Sequence, residues 1–184
     1  QIFALENWKK KNKMITASWF SSLANFEAIS SIANLSFNHH DWSFPKIVNE
    51  DAVFIGEKIG HPLIPKEKRV TSSYATTGVN QISLVTGSNM AGKSTFLRSV
   101  GVNIVLAMMG SPVCAKHISV SHLKVMSSMR ISDNLEESTS TFYAELKKLK
   151  EIIDAVYANE KAFLLLDEIL RGTNSADRHT GSTA

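Results

Sequence analysis

Residues 81–95 read QISLVTGSNMAGKST. The first six, with Ile82, Leu84 and Val85 as their apolar members, read as a buried β-strand. Residues 94–109 are nearly all apolar or small, as expected of a helix covered on several sides, with Pro112 as its expected stop. Between them Gly87, Ser88, Asn89, Met90, Ala91, Gly92, Lys93 and Ser94 fit the pattern G-x-x-x-x-G-K-[ST] in the strand–loop–helix context that a P-loop requires. Glycines let the backbone curl so that successive N–H groups point into one concavity, and a helix N-terminus adds positive potential for phosphate. Lys93 is then expected to bridge the β- and γ-phosphates of a nucleotide, and the Ser94 hydroxyl to hold Mg²⁺. An ordinary glycine-containing turn is the alternative.

Residues 162–168 read AFLLLDE, a compact apolar strand that ends in two acids. Active sites in parallel sheets lie at the C-terminal strand edge, where such acids arrive. Asp167 is expected to hold the Mg²⁺ through water. Glu168, one residue on and pointing elsewhere, is placed to polarise an attacking water as a general base. Any buried strand can end in acids that cap a turn, so it is the pairing with the loop that points to NTP hydrolysis.

The other elements follow from spacing. Residues 14–37 lack Gly and Pro, and Ile15, Trp19, Leu23, Phe26, Ile29 and Ala33 recur at the period of an amphipathic helix. Its length suits an element that connects something. The lysines at 9, 10, 11 and 13 suit a solvated helix end, with phosphate contact as the other option. Residues 44–48 and 52–58 read as two strands of a hairpin or meander, and 118–120 and 123–129 as short strands. Phe142, Leu146, Leu149, Ile153 and Val156 mark one face of a helix. Strand, helix, helix, strand in this order implies an α/β sheet with parallel strands and crossover helices.

Composition sets bounds on all of this. Hydrophobic residues at 43% and charged residues at 20% place the 184-residue chain among folded domains rather than disordered ones. The formal charge of +3 is too small to imply a dedicated nucleic-acid-binding domain. No run reaches the roughly 18 apolar residues of a membrane span, and the first residues lack a signal pattern. One cysteine, Cys114, excludes a disulfide framework and fits a reducing compartment, so a cytoplasmic location is expected. Cys114 suits a small buried position better than a nucleophile. His39 with His40, and His117 with His122, make poor metal pairs.

The same segments resemble the MutS family. VTGSNMAGKST, residues 85–95, is similar to that family's nucleotide loop, marked by Asn-Met before the second glycine. LLLDEILRGTN, residues 164–174, is similar to its acidic strand and following loop. RISDNLEESTSTFYAEL, residues 130–146, resembles its signature segment, with Ser140, Thr141, Phe142 and Glu145 at the matching places. HPLIP, residues 61–65, looks like the element that precedes its ATPase core.

The resemblance implies an ABC-ATPase-like P-loop NTPase fold, α/β, with a mixed or parallel sheet flanked by helices and a long connecting helix before it. Residues 1–42 would be that connector, and 43–184 an ATPase domain incomplete at its C-terminus. ATP and Mg²⁺ are the implied cofactors, with Thr95 joining the loop as a nucleotide-binding residue. Lys93, Ser94, Asp167 and Glu168 would act in cis. Ser140 would face the γ-phosphate bound by the partner of a homodimer, a role that also suits hydroxyls and N–H groups at a helix N-terminus; a plain helix cap is the alternative. Arg171 to Asn174 would run along the dimer seam. DNA, mismatched or branched, would be contacted mostly by regions outside this segment, and no membrane is involved.

Departures from the family pattern are Ser88 in place of proline and Ala91 in place of glycine, both small. An aromatic for stacking on adenine is missing near Arg69 and Val70 until Tyr74. The family's γ-phosphate-sensing histidine is expected beyond Ala184, and His179 stands too early to replace it. Mismatch repair, recombination control and a nucleotide-gated dimerisation module with little turnover are all compatible with this sequence. A small-molecule kinase is disfavoured, since nothing resembles an acceptor lid.

Overall fold

The computed structural model describes residues 2–88, 91–129 and 141–169. They divide into two compact units, Gln1–His40 and Asp41–Ala184.

The first unit is two helices, α1 (Ile2–Asn12) and α2 (Thr16–Asn38). Lys9, Lys10 and Lys11 occupy the last turn of α1, where positive charge complements the helix dipole. At the junction the Thr16 hydroxyl donates to the Asn12 carbonyl at 2.7 Å, and the rings of Trp8 and Trp19 lie 6.2 Å apart. The apolar spacing does give a helix of 23 residues, yet none of them is buried.

In the second unit the larger sheet runs β1 (Lys46–Val48), β4 (His117–Ser121), β2 (Phe54–Ile59), β3 (Ser72–Thr76) across its width. β1 is parallel to β4, while β4–β2 and β2–β3 are antiparallel. The expected hairpin of the first two strands therefore does not form. β4 inserts between them, and Val120 stands opposite Ile47 on one side and Phe54 on the other. Two bonds seat the start of β2 on β4: Val53 N–H donates to Ser121 Oγ, and Ser121 N–H to the Val53 carbonyl, both at 2.9 Å.

A second sheet pairs β5 (Lys124–Ser128) with β6 (Ala162–Leu166) in parallel, Ser128 opposite Leu166. α4 (Thr141–Tyr157) lies between them in sequence and packs against both strands, as a parallel connection demands. Its buried line is Ile152 and Ala155, with Leu149 half-buried. Leu146, Ile153 and Val156, expected on the packed face, are 42–51% exposed. Among the described residues the helix packs chiefly against these two strands, so a narrow stripe is covered and Leu146, Ile153 and Val156 are not.

α3 (Lys93–Met108) stops earlier than Pro112 would require. Gly110 takes φ +73°, and its N–H donates to the Ala107 carbonyl while Ser111 N–H donates to the Leu106 carbonyl. That is the Schellman arrangement, which glycine accommodates without a Cβ penalty. The core is built from α3 and the larger sheet: Val100, Ile104 and Ala107 of the helix with Phe54, Ile59, Ile118 and Val120 of the strands.

Residues 81–86 are not a buried strand. They join no ladder among the described strands, and Ile82 and Leu84 are 95% and 86% exposed. The residue types favour β, but a strand exists only where an edge pairs with it, and no described strand does so here. Among the described residues no helix is long and apolar enough to cross a membrane.

Candidate functional site

The loop of residues 87–95 turns into α3 at Gly92, the N-cap residue, whose φ is +83°. A Cβ built there would meet nothing within 4 Å, so backbone conformation rather than space calls for glycine. Ala91 N–H donates to the Ser88 carbonyl at 3.2 Å, and Phe96 N–H to the Gly92 carbonyl at 2.8 Å as the first helical bond. Lys93 folds back over the loop: its Nζ donates to the Gly87 carbonyl at 2.6 Å and to the Ser88 carbonyl at 3.2 Å. The two carbonyls accept hydrogen bonds from the ammonium and leave its positive charge uncompensated. Ser94 and Thr95 follow in the first turn of α3. Asn89 and Met90 lie outside the described residues.

At the other end of the site, Asp167 N–H donates to the Ser128 carbonyl at 2.9 Å, which carries the β5–β6 pairing one residue past the strand. Asp167 is half-buried and Glu168 exposed. Glu168 has φ +53°, so strand alternation ends between the two acids and they do not share the strand's geometry.

α3 joins these two ends. Gly101 lies so close to β6 that a Cβ on it would come 2.6 Å from Leu165 Cδ1 and 3.8 Å from Val125 Cγ1. The helix that begins at Lys93 thus rests on the strand that delivers Asp167. A lysine and a serine hydroxyl at a helix N-terminus, with a carboxylate at the end of the strand beneath, form a donor set that fits a polyphosphate and a hard divalent cation.

An aromatic cluster lies beside α3. Tyr74 stands edge-on to Phe96 (centroids 5.8 Å apart, planes at 86°) and 6.0 Å from Phe54, which in turn is 5.7 Å from Phe163 of β6. Of the three positions considered for adenine, Tyr74 is therefore packed among protein rings. Arg69 is also engaged: its Nε donates to the Ile64 carbonyl at 3.0 Å and its guanidinium sits 5.8 Å from the Trp42 ring. Val70 is 85% exposed.

One residue behind the site was not foreseen. Asn103, fully buried in α3, donates to the carbonyls of Gly60 (2.9 Å) and Ser99 (2.7 Å) and accepts from Cys114 N–H at 2.6 Å. Gly60 N–H closes the ring by donating to the Cys114 carbonyl at 2.8 Å. A polar residue inside the apolar run VGVNIVLAM was the available signal, because such a group is buried only when its bonds are made. Cys114 is itself buried, and that burial pushes its thiol up, away from the reactive thiolate.

Ser140 and the segment of residues 171–174 lie outside the described residues, as does His179. The loop residues stand on the helix, and the acids at the end of the strand, that meet at Gly101 and Leu165.

Comparison with known proteins gives one consistent result. Residues 83–184 match the family described as MutS domain V. The chain is similar to the DNA mismatch repair protein MutS of Acetivibrio thermocellus, 32% identical over 175 residues that cover 92% of this chain and 19% of the relative. It is similar to the protein of the same description from Ehrlichia chaffeensis, 35% identical over 159 residues, 85% of this chain and 19% of the relative. The Clostridium tetani protein of that description is 34% identical over 161 residues, 84% of this chain and 18% of the relative. The chain spans about a fifth of the length of these curated relatives.

Proposed function

This chain belongs to the MutS family, and we propose that it binds and hydrolyses ATP as the nucleotide-handling part of a DNA mismatch-repair or related DNA-handling protein. The observation that carries the reading is the seating of α3 on β6 at Gly101 and Leu165. It puts the helix that starts with Lys93 and Ser94 on the strand that ends at Asp167.

In this reading a polyphosphate displaces the carbonyls of Gly87 and Ser88 from Lys93, and the ammonium moves to the β- and γ-phosphate oxygens. The N–H groups of residues 87–95 and the α3 N-terminus hold the same chain of phosphates. Ser94 and Asp167 would hold Mg²⁺, which when bound neutralises charge on the β- and γ-oxygens. Glu168 takes a proton from water as the water oxygen bonds to the γ-phosphorus. The bond to the β,γ-bridging oxygen breaks, and ADP carries away its electron pair. Ser140 of a second copy would complete the site over the γ-phosphate, so the working species is a homodimer. DNA contacts belong mostly to regions outside this segment. Residues 1–42 act as the connector, residues 43–184 as the ATPase portion, and the location is cytoplasmic.

The test is equilibrium titration with a fluorescent ATP analogue and Mg²⁺, followed by turnover at several protein concentrations. Lys93→Ala should abolish binding, and undiminished affinity in that variant would refute the loop assignment. Turnover per chain should rise with protein concentration and fall in Ser140→Ala. Concentration-independent turnover indifferent to Ser140→Ala would refute the shared site.

A further inference from the structure

Both flanks of the Lys93 loop meet one side chain. Tyr74, in the middle of β3, directs its hydroxyl to Ser83 Oγ at 2.8 Å, and Ser83 stands four residues before Gly87. The ring of the same Tyr74 meets Phe96, the residue after Thr95, edge-on at 5.8 Å. The geometry points to Tyr74 as a positioning residue that clips together the entry and exit of the 87–95 loop, an inference that rests on the nucleotide-binding reading of that loop.

The chain is arranged to make this contact. Gly78 (φ +94°) and Asn80 (φ +58°) take left-handed conformations and reverse the backbone after β3. Residue 83 is thereby brought back beside residue 74. Packing does not hold the returning segment, because Ile82 and Leu84 on either side of Ser83 are 95% and 86% exposed. The hydroxyl–hydroxyl bond is a polar tether on a stretch with little apolar cover. The far side of Tyr74 rests against Phe54 in the core, so the tether is anchored on a rigid wall. A loop whose two ends are held offers its amides to phosphate with less ordering left to do.

The tether is distinguishable from adenine stacking, because stacking needs the ring and the tether needs the hydroxyl. Tyr74→Phe keeps the ring, Ser83→Ala removes the partner, and Ser83→Thr keeps a hydroxyl. Binding of a fluorescent ATP analogue and of inorganic tripolyphosphate, which has no base, is measured alongside the thermal midpoint. Tyr74→Phe and Ser83→Ala should each weaken both ligands about fivefold with the midpoint unchanged. Ser83→Thr should bind like the parent, and the double variant should be no weaker than either single. Unchanged tripolyphosphate affinity in Tyr74→Phe would overturn the tether, as would losses that add in the double variant. A parent chain that binds neither ligand would instead overturn the nucleotide reading itself.

Discussion

Gly101 of α3 and Leu165 of β6 are in such close approach that a single added methyl would stand 2.6 Å from Leu165 Cδ1. Glycine inside a helix costs about 1 kcal/mol relative to alanine. Here its lack of a side chain lets the helix backbone settle onto a buried leucine, 4% exposed. Gly101 lies eight positions after Lys93, and Leu165 two positions before Asp167. The contact therefore ties the helix that carries Lys93 to the strand that carries Asp167.

The first prediction tests that contact. Gly101→Ala should destabilise the chain by about 1–3 kcal/mol, the usual cost of overpacking, despite alanine's better helix propensity. Leu165→Ala removes the opposing methyl groups, so the cost of Gly101→Ala should shrink in that background. Denaturant unfolding of the four combinations measures both. An equal cost in the two backgrounds would show that the glycine is needed for something other than Leu165.

A second prediction concerns Asn103, whose amide ties α3 to Gly60 and Cys114. Asn103→Ala leaves a buried carbonyl and a buried N–H without their partner, and should cost about 1–3 kcal/mol. The unfolding midpoint in urea should fall accordingly. A midpoint equal to the parent's would mean that the backbone groups of Gly60 and Cys114 find other partners.

Charge gives a third prediction at the start of the second unit. Partial burial pushes the Asp41 carboxyl up, but the hydrogen bond from Lys66, a backbone hydrogen bond within Asp41, and the charges of Lys66 and Arg69 together hold it below 3.8. Lys66 Nζ is 3.2 Å from Asp41 Oδ2, with both side chains well exposed. The folded value is depressed, so the stabilisation is fully present above the unfolded value and fades as pH falls through the folded one. Solvent screening keeps it within about 1 kcal/mol. Asp41→Asn should be less stable than the parent near neutral pH, and the gap should close once the pH is well below 3.8. A gap that persists there would assign the effect to packing rather than ionisation.

What was legible in the sequence was local, and what was not legible was pairing. The helix after the loop and the acid-ended strand were each visible within ten or so residues, since Gly92, Lys93 and the apolar run before Asp167 act on their own neighbourhoods. The hairpin of β1 and β2 was not, because Val120 comes from a distant stretch and takes the position between Ile47 and Phe54. QISLVT shows the same limit from the other side: its residue types ask for a ladder, and the chain gives it a tether from Tyr74 instead. The phase of α4 also depends on its partners, which cover Ile152 and Ala155 and leave Ile153 out. The tie made by Asn103 needed two backbone groups outside its helix, on Gly60 and Cys114, to be known at once.

The last prediction separates an ATPase from a nucleotide-held clip. Glu168 follows Asp167 directly, sits at φ +53° after the end of β6, and is exposed, so water has access to it. Glu168→Gln preserves size and hydrogen-bonding reach but removes the base. If the carboxylate accepts the proton of the attacking water, turnover should fall by about 10²–10⁴-fold. Binding of Mg-ATP, which depends on Lys93 and the loop amides, should persist, so the variant holds its nucleotide unhydrolysed. Rapid-quench measurement of bound ATP and ADP reads both effects in one experiment. Turnover equal to the parent's would remove Glu168 from the chemistry, and loss of ATP binding together with turnover would move it from the proton step to the holding of the loop.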